Sequence, residues 1–421
     1  MQRTERSAGA KDNQVSGGGE EPRLLVQRAF RDATAGAEAA HVHGLARRAL
    51  HGSPLLHDGP AGVAAHCVGA MALVLVDELA AGEQALTQAV QSARRRRLKS
   101  VLVMACHLRA IAHLRRGRAA DAVIDSQAGL KVMPAQPPPA GLHGVMADAL
   151  LELDEPVEAT RQVVQGMSSG AVGDEVSRAF VLAGRARLRS LSNEPRPAIA
   201  DYFEAGGQLA RVGADSPRLL PWRSPAAVSL AHTGHPMAAR RLVTEELELA
   251  EACGDPGAIG RALHALGLVE PVPRAVGRMR EAVALLRRSE RALDRMRALA
   301  DLGAALRRMG APEEARDPLR EALDLAERSG ARKLATRAWA ELAAAGGRPR
   351  RAAAHGLDAL TPREREIARL AADGRGAHDI ASGLFITRKT VEWHIGHIYE
   401  KLDVRSRREL AVVLASGPQA D

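Results

Sequence analysis

The chain has 421 residues, 46% apolar and 26% charged, a balance that fits a globular protein of two or three domains. Aromatics are only 2%, and Ala, Leu and Arg dominate, which disfavours a β-sandwich and favours helix. No apolar run approaches the roughly 18 residues needed to cross a bilayer, and scarce aromatics count against single-strand or RNA recognition by base stacking.

Residues 1–23 are polar and glycine-rich and are expected to form a disordered tail without a signal-peptide core. The formal charge of +9 is almost all arginine, so it is weak ground for nucleic-acid binding. Cys67, Cys106 and Cys253 form no CxxC pair, which suits a reducing cytoplasm and argues against a zinc knuckle.

The stretch Met71–Gly82, "MALVLVDELAAG", has the outline of a Walker B strand ending in Asp77 and Glu78. That reading needs a phosphate-binding GxxxxGK[ST] loop, and the chain contains no Gly-Lys pair. A plainer pattern absorbs the stretch. From Leu24 to Ala345 a turn-former is followed five residues later by a small residue that is expected to open the next helix. It recurs at Gly117/Ala122, Asp154/Ala159, Asn193/Ala198, Gly234/Ala239 and Gly310/Ala315, with a weaker copy at Glu270/Ala275. Successive spacings are 37, 39, 41, 36 and 40 residues, and 40 residues before Gly117 stand Asp77 and, five on, Gly82. A period near 39 with two helices per unit predicts an all-α solenoid close to the tetratricopeptide type over residues 24–345. The run before Asp77 is then half of a buried helix. The basic run Ala93–Ser100, "ARRRRLKS", falls at an inter-repeat bend and reads as a solvated turn. No Ser/His/Asp set or nucleophile elbow appears, so no enzyme, cofactor or metal site is expected.

Residues 346–356, "GGRPRRAAAHG", read as a basic linker, and 357–416 as a compact domain of four helices, followed by a short tail, 417–421. Thr361 with Glu364 forms a capping box with Pro362 at the first helical position, and Gly374 stops that helix. A second short helix covers about 377–384, and Thr387 caps a third running to about Leu402. Val391, Ile395, Ile398 and Leu402 make its inward stripe, with Lys389, Glu392, Trp393, Gly396 and Glu400 opposite. Ser406 with Glu409 caps a fourth helix whose apolar face holds Leu410, Val413 and Leu414. Two short helices with a tight turn, the second exposing a polar face, is helix-turn-helix geometry, with helix 387–402 suited to the major groove.

The segments "LTPREREI", "DIASGL", "TVEWHIGHIYEKL" and "VRSRREL" resemble the LuxR-type DNA-binding domain. The resemblance implies a transcriptional regulator that binds double-stranded DNA as a homodimer, the fourth helix, with Leu410, Val413 and Leu414, helping to pair the protomers. It puts the base-facing positions on Glu392, Trp393 and Gly396. Thr387, Arg388, Lys389 and Lys401 are then expected on phosphates, setting register. The repeats resemble those of the large actinobacterial LuxR regulators, implying a shortened member without their ATPase, cytoplasmic and nucleoid-associated, whose repeats dock a protein or small-molecule effector. The alternative is an interaction scaffold with a decayed helix-turn-helix. Three features speak for it: Gly376-Ala377 where the family has a polar pair, Gly396 at a contact position, and ten basic against nine acidic residues in 357–414.

Overall fold

The computed structural model of the protein describes residues 21–132, 139–169, 174–347, 356–357, 360, 362–384 and 388–415. Six residues set its frame. Asp77, Gly117, Asp154, Asn193, Gly234 and Gly310 all have left-handed backbone, with φ from 60° to 85°. In each case the next residue's N–H returns to the carbonyl four before the turn-former. The bonds run from Glu78 to Leu73 at 3.1 Å, Arg118 to His113 at 2.9 Å, Glu155 to Leu150 at 2.9 Å, Glu194 to Arg189 at 2.9 Å, His235 to Leu230 at 3.0 Å and Ala311 to Leu306 at 3.0 Å. This Schellman closure needs a left-handed residue, and only Gly, Asn and Asp take that conformation cheaply. The period of the turn-formers is the period of these closures.

The elements follow in order. Helices α1 (Pro22–Thr34) and α2 (Ala39–Leu50) and a single 3-10 turn (Pro54–Leu56) lead. The pairs are α3 (Gly59–Leu75) with α4 (Leu79–Arg95), α5 (Lys99–Arg115) with α6 (Ala119–Val132), and α7 (Ala140–Glu152) with α8 (Pro156–Ser168). Next come α9 (Glu175–Leu191) with α10 (Pro195–Arg211), α11 (Arg223–His232) with α12 (Pro236–Cys253), and α13 (Pro256–Val269) with α14 (Val272–Leu286). The repeats end with α15 (Ala292–Arg308), α16 (Pro312–Ser329) and α17 (Arg332–Ala344). Among the described residues every regular element is helical. The first helix starts at Pro22, two residues before the expected boundary; residues 1–20 and 416–421 lie outside the described residues, as do 348–355 of the linker.

Two expectations change in detail. The small residue does not open the next helix; it sits in that helix's first turn, where the two helices of a pair touch. Ala122, Ala159, Ala198, Ala239 and Ala315 are fully buried, and a Cβ on Gly82 would lie 2.6 Å from Val74 Cγ2. What opens four of the helices is a proline at the first position, Pro156, Pro195, Pro236 and Pro312. The weak copy at Glu270 is not such a turn, since its backbone is extended (φ −94°, ψ 157°).

The run before Asp77 is a buried helix, with Val63, Cys67 and every residue from Gly69 to Leu75 inside α3 buried. Asp77 itself meets a distant part of the chain. The solenoid winds far enough that α5 touches α15 and α7 touches α17. Across this closure Asp77 pairs with Arg291 and accepts from Ser289 Oγ at 3.2 Å. Ala80 N–H donates to Glu290 at 2.6 Å, and Glu152 is held by Arg187 and Arg297. Arg115 reaches the carbonyls of Val74 at 3.0 Å, Arg218 at 2.6 Å and Leu219 at 3.0 Å. Early and late repeats are thus bonded directly.

Candidate nucleic-acid interface

Beyond the linker stand α18 (Pro362–Ala372), α19 (Ala377–Leu384), α20 (Arg388–Leu402) and α21 (Arg407–Ala415). The bounds follow from local chemistry. Gly374, at φ +81°, stops α18. Ser406 Oγ accepts from the N–H of Glu409 at 3.2 Å, while the Glu409 carboxylate accepts from Ser406 Oγ at 3.0 Å and from Arg405 N–H at 2.8 Å. That is the expected capping box on α21. Those two donors hold the Glu409 carboxyl below its ordinary range. Thr361, of the box expected on α18, lies outside the described residues. Its intended partner Glu364 is buried and takes the ammonium of Lys401 on both oxygens, at 2.9 and 2.7 Å.

A single apolar cluster holds the domain together, and α20 is its central strut. Val391 and Ile398 are fully buried, Leu402 is buried and Ile395 packs against the cluster, so the expected inward stripe is the observed one. His394 is buried with them. On the other side of α20, Glu392, Gly396 and Glu400 are exposed, and a Cβ on Gly396 would meet nothing within 4 Å. Glu392 is paired, one turn away, with Arg388 at 2.6 Å. This i, i+4 contact between a base-facing and a phosphate-facing candidate was readable from spacing. Lys401 faces inward onto Glu364 instead, which no local spacing announces. Thr387 lies outside the described residues, as do the side chains of Lys389 and Trp393.

On α21 the expected apolar face is the observed one, and it is spent inside the domain. Leu410 is fully buried in the domain's own cluster, and Val413 and Leu414 are half-buried against it. Val412 is the apolar residue of α21 that faces out, 61% exposed. The repeats also reach this domain. Ile124 of α6 is buried in the same cluster, and Arg332 Nη1 lies 3.5 Å from Nε2 of His397 on α20. Glu366 shares a cleft of about 220 Å³ with Arg109, His113, Arg118 and Asp125 of the repeats.

Residues 358–414 match the family of bacterial regulatory proteins described as luxR. The C-terminal segment is a LuxR-family domain. Part of the chain is also similar to curated regulators. An HTH-type transcriptional regulator of Mycobacterium bovis is 40% identical over 85 residues, 18% of this chain and 10% of that protein. The oxygen regulatory protein NreC of Staphylococcus haemolyticus is 53% identical over 51 residues, 12% of this chain and 24% of NreC. The nitrate/nitrite response regulator NarL of Escherichia coli is 45% identical over 56 residues, 13% and 26% of the two chains. The likeness thus spans a tenth to a quarter of these relatives' lengths. Over the repeats, the fold is similar to that of a Rap protein crystallised with competence and sporulation factor. That match has a TM-score of 0.51 and 14% identity, covering 84% of this chain and 99% of that one. At that identity the likeness speaks for a shared helical-repeat fold alone. Among the described residues no helix is long and apolar enough to cross a membrane.

Proposed function

We propose that this chain regulates transcription by binding duplex DNA as a two-fold dimer, with α20 in the major groove and the repeats as a sensing or docking arm. The observation that carries the reading is the division of α20 into a buried apolar stripe and an exposed stripe with Glu392 and Gly396, inside a LuxR-family domain. Glu392 is suited to accept from a cytosine amino group, and Trp393 to pack on a thymine methyl. Arg388 stands beside Glu392, and Thr387, Arg388, Lys389 and, once released from Glu364, Lys401 serve the phosphates. Pairing through α21 falls to Val412, because Leu410 is inside the domain. The action on the chromosome places the protein in the cytoplasm, at the nucleoid when bound. The Rap architecture, solved with a bound factor, supports an effector on the repeats.

Band-shift titration at several salt concentrations, followed by in vitro selection of the site, tests this reading. Lys389→Ala is expected to weaken binding to all sequences alike and to flatten the salt dependence, whereas Glu392→Ala and Trp393→Ala alter the selected sequence. No retardation of any fragment, with a protein partner recovered instead, would favour the scaffold alternative. Identical selected sites for all three variants would overturn the assignment of roles.

A further inference from the structure

The C-terminal domain is seated on the repeats, and the seat has two parts. One is α6. Its inward residues Ala119, Ala122, Val123 and Ala128 belong to the core of the repeats, but Ile124 does not; it is buried, at 6% exposure, in the apolar cluster of the C-terminal domain. The surroundings of Ile124 on the repeats are polar, with Asp121, Asp125, Arg109 and Arg118 lining the cleft that Glu366 of α18 shares. Without the domain Ile124 would be an apolar side chain on a charged surface. The other part is Arg332, at the start of α17. It donates to Glu155 in the α7–α8 turn at 3.3 Å and lies 3.5 Å from Nε2 of His397 on α20. The two parts come from early and late repeats, which meet at the closure where α7 touches α17.

His397 borders the exposed stripe of α20. It is half-buried, next to Gly396 and three residues before Glu400, and residues three apart are neighbours on a helix surface. A major groove is about 12 Å wide, and a helix with its side chains is about 10–12 Å across. A helix lying in the groove therefore leaves no room at its flank, where the wall is a phosphate strand. Arg332, with α17 behind it, stands at that flank. In the seated domain Glu392, Gly396 and Glu400 are open to water but not to a duplex.

We propose that this seat is an autoinhibitory contact: the domain held by Ile124 and Arg332 cannot take duplex DNA onto α20, and its release from the repeats is the step that controls binding. The inference rests on the reading of α20 as the groove helix. The seat is of a releasable kind, one apolar anchor in a polar surround, as transient contacts between domains are. Burial of one isoleucine favours the seated state by roughly ten- to a hundredfold. The apparent affinity for DNA falls by the same factor, since only the released fraction binds. Because the seat spans early and late repeats, a change in the winding of the solenoid moves its two halves relative to one another, without an effector touching the domain.

Band-shift titration of the full chain on its selected fragment is the test. Ile124→Asp on α6 and, independently, Arg332→Ala on α17 are expected to tighten binding, Ile124→Asp by about tenfold or more, with unchanged circular dichroism. Each change makes the chain more negative, which by itself weakens attraction to phosphates, so tighter binding has no electrostatic source. Arg332→Cys combined with His397→Cys and joined by a short bismaleimide should lose retardation, while the same variant unlinked keeps it; the three native cysteines are buried. Equal binding by the wild type and both single variants overturns the inference and leaves the DNA reading standing. So does weaker binding by Arg332→Ala, which would make Arg332 a phosphate contact, or retardation by the linked form. No retardation by any of these proteins overturns both.

Discussion

Asp77 and Asp154 fill the same slot of two different repeats, each closing a helix with left-handed backbone. Asparagine suits that conformation as well as aspartate does, so the turn alone does not distinguish the two acids. Their surroundings do. Asp154 is exposed, whereas Asp77 is nearly buried against Arg291, itself 3% exposed. Arg115 and Arg261 bear on the same region, where Asp77 and Asp294 oppose their charge. Asp77→Asn keeps the turn and removes the carboxylate, leaving a buried guanidinium short of its partner, a loss expected at about 3 kcal/mol or more. Asp154→Asn should fall within about 0.5 kcal/mol of wild type. Urea unfolding of the two variants compares them directly; equal losses would mean that Asp77 serves only the turn. The acid that imitates a catalytic carboxylate in the sequence is thus a structural counter-ion.

At the scale of elements, what spacing encodes was legible and what folding brings together was not. The turn-former period found six closures because each is built from residues within five of one another. The inward stripe of α20 and the box on α21 were legible for the same reason. Lys401 with Glu364, and Asp77 with Arg291, join residues 37 and 214 apart, and no periodicity carries that information. The apolar face of α21 was legible too, but not what covers it. Leu410, Val413 and Leu414 do form one apolar face, but that face closes the domain's own cluster, leaving Val412 outside. The box gives α21 a measurable share of this domain's stability. Ser406→Ala removes the acceptor for the Glu409 N–H and should cost about 1 kcal/mol, while Ser406→Asp should restore most of it. Hydrogen exchange at the first amides of α21 reads this locally. Unchanged protection in Ser406→Ala would mean that packing of Leu410 alone holds the helix.

For the whole molecule, closure of the solenoid changes how stability is shared. An open array of repeats unfolds from its ends by nearest-neighbour steps, but bonds between early and late repeats tie the ends to one another, so a local charge change registers in the unfolding of the whole arm. His66 offers the clearest handle. It is fully buried in α3, its Nε2 donates to the Ala85 carbonyl at 3.2 Å, and burial, only partly offset by that bond, lowers its pKa to about 4. The unfolded chain takes up a proton at this residue near pH 6.5, while the folded chain resists until about pH 4. Stability is therefore complete above pH 6.5 and falls as the pH drops towards 4, by roughly 2–3 kcal/mol for this residue at pH 4.5. Glu152 acts in a separate window. Burial would raise its carboxyl, but Arg187 and Arg297 outweigh it and hold the group at about 2, so its contribution persists above pH 4.5 and is lost between 4.5 and 2. His66→Gln, which keeps a donor for Ala85, should flatten the decline between pH 6.5 and 4.5 and leave the steeper loss below it. A residual slope should remain from His107, which burial also lowers to about 4. Thermal unfolding of the two proteins at half-unit steps of pH measures the difference, and an identical slope in that upper window would remove His66 as its source.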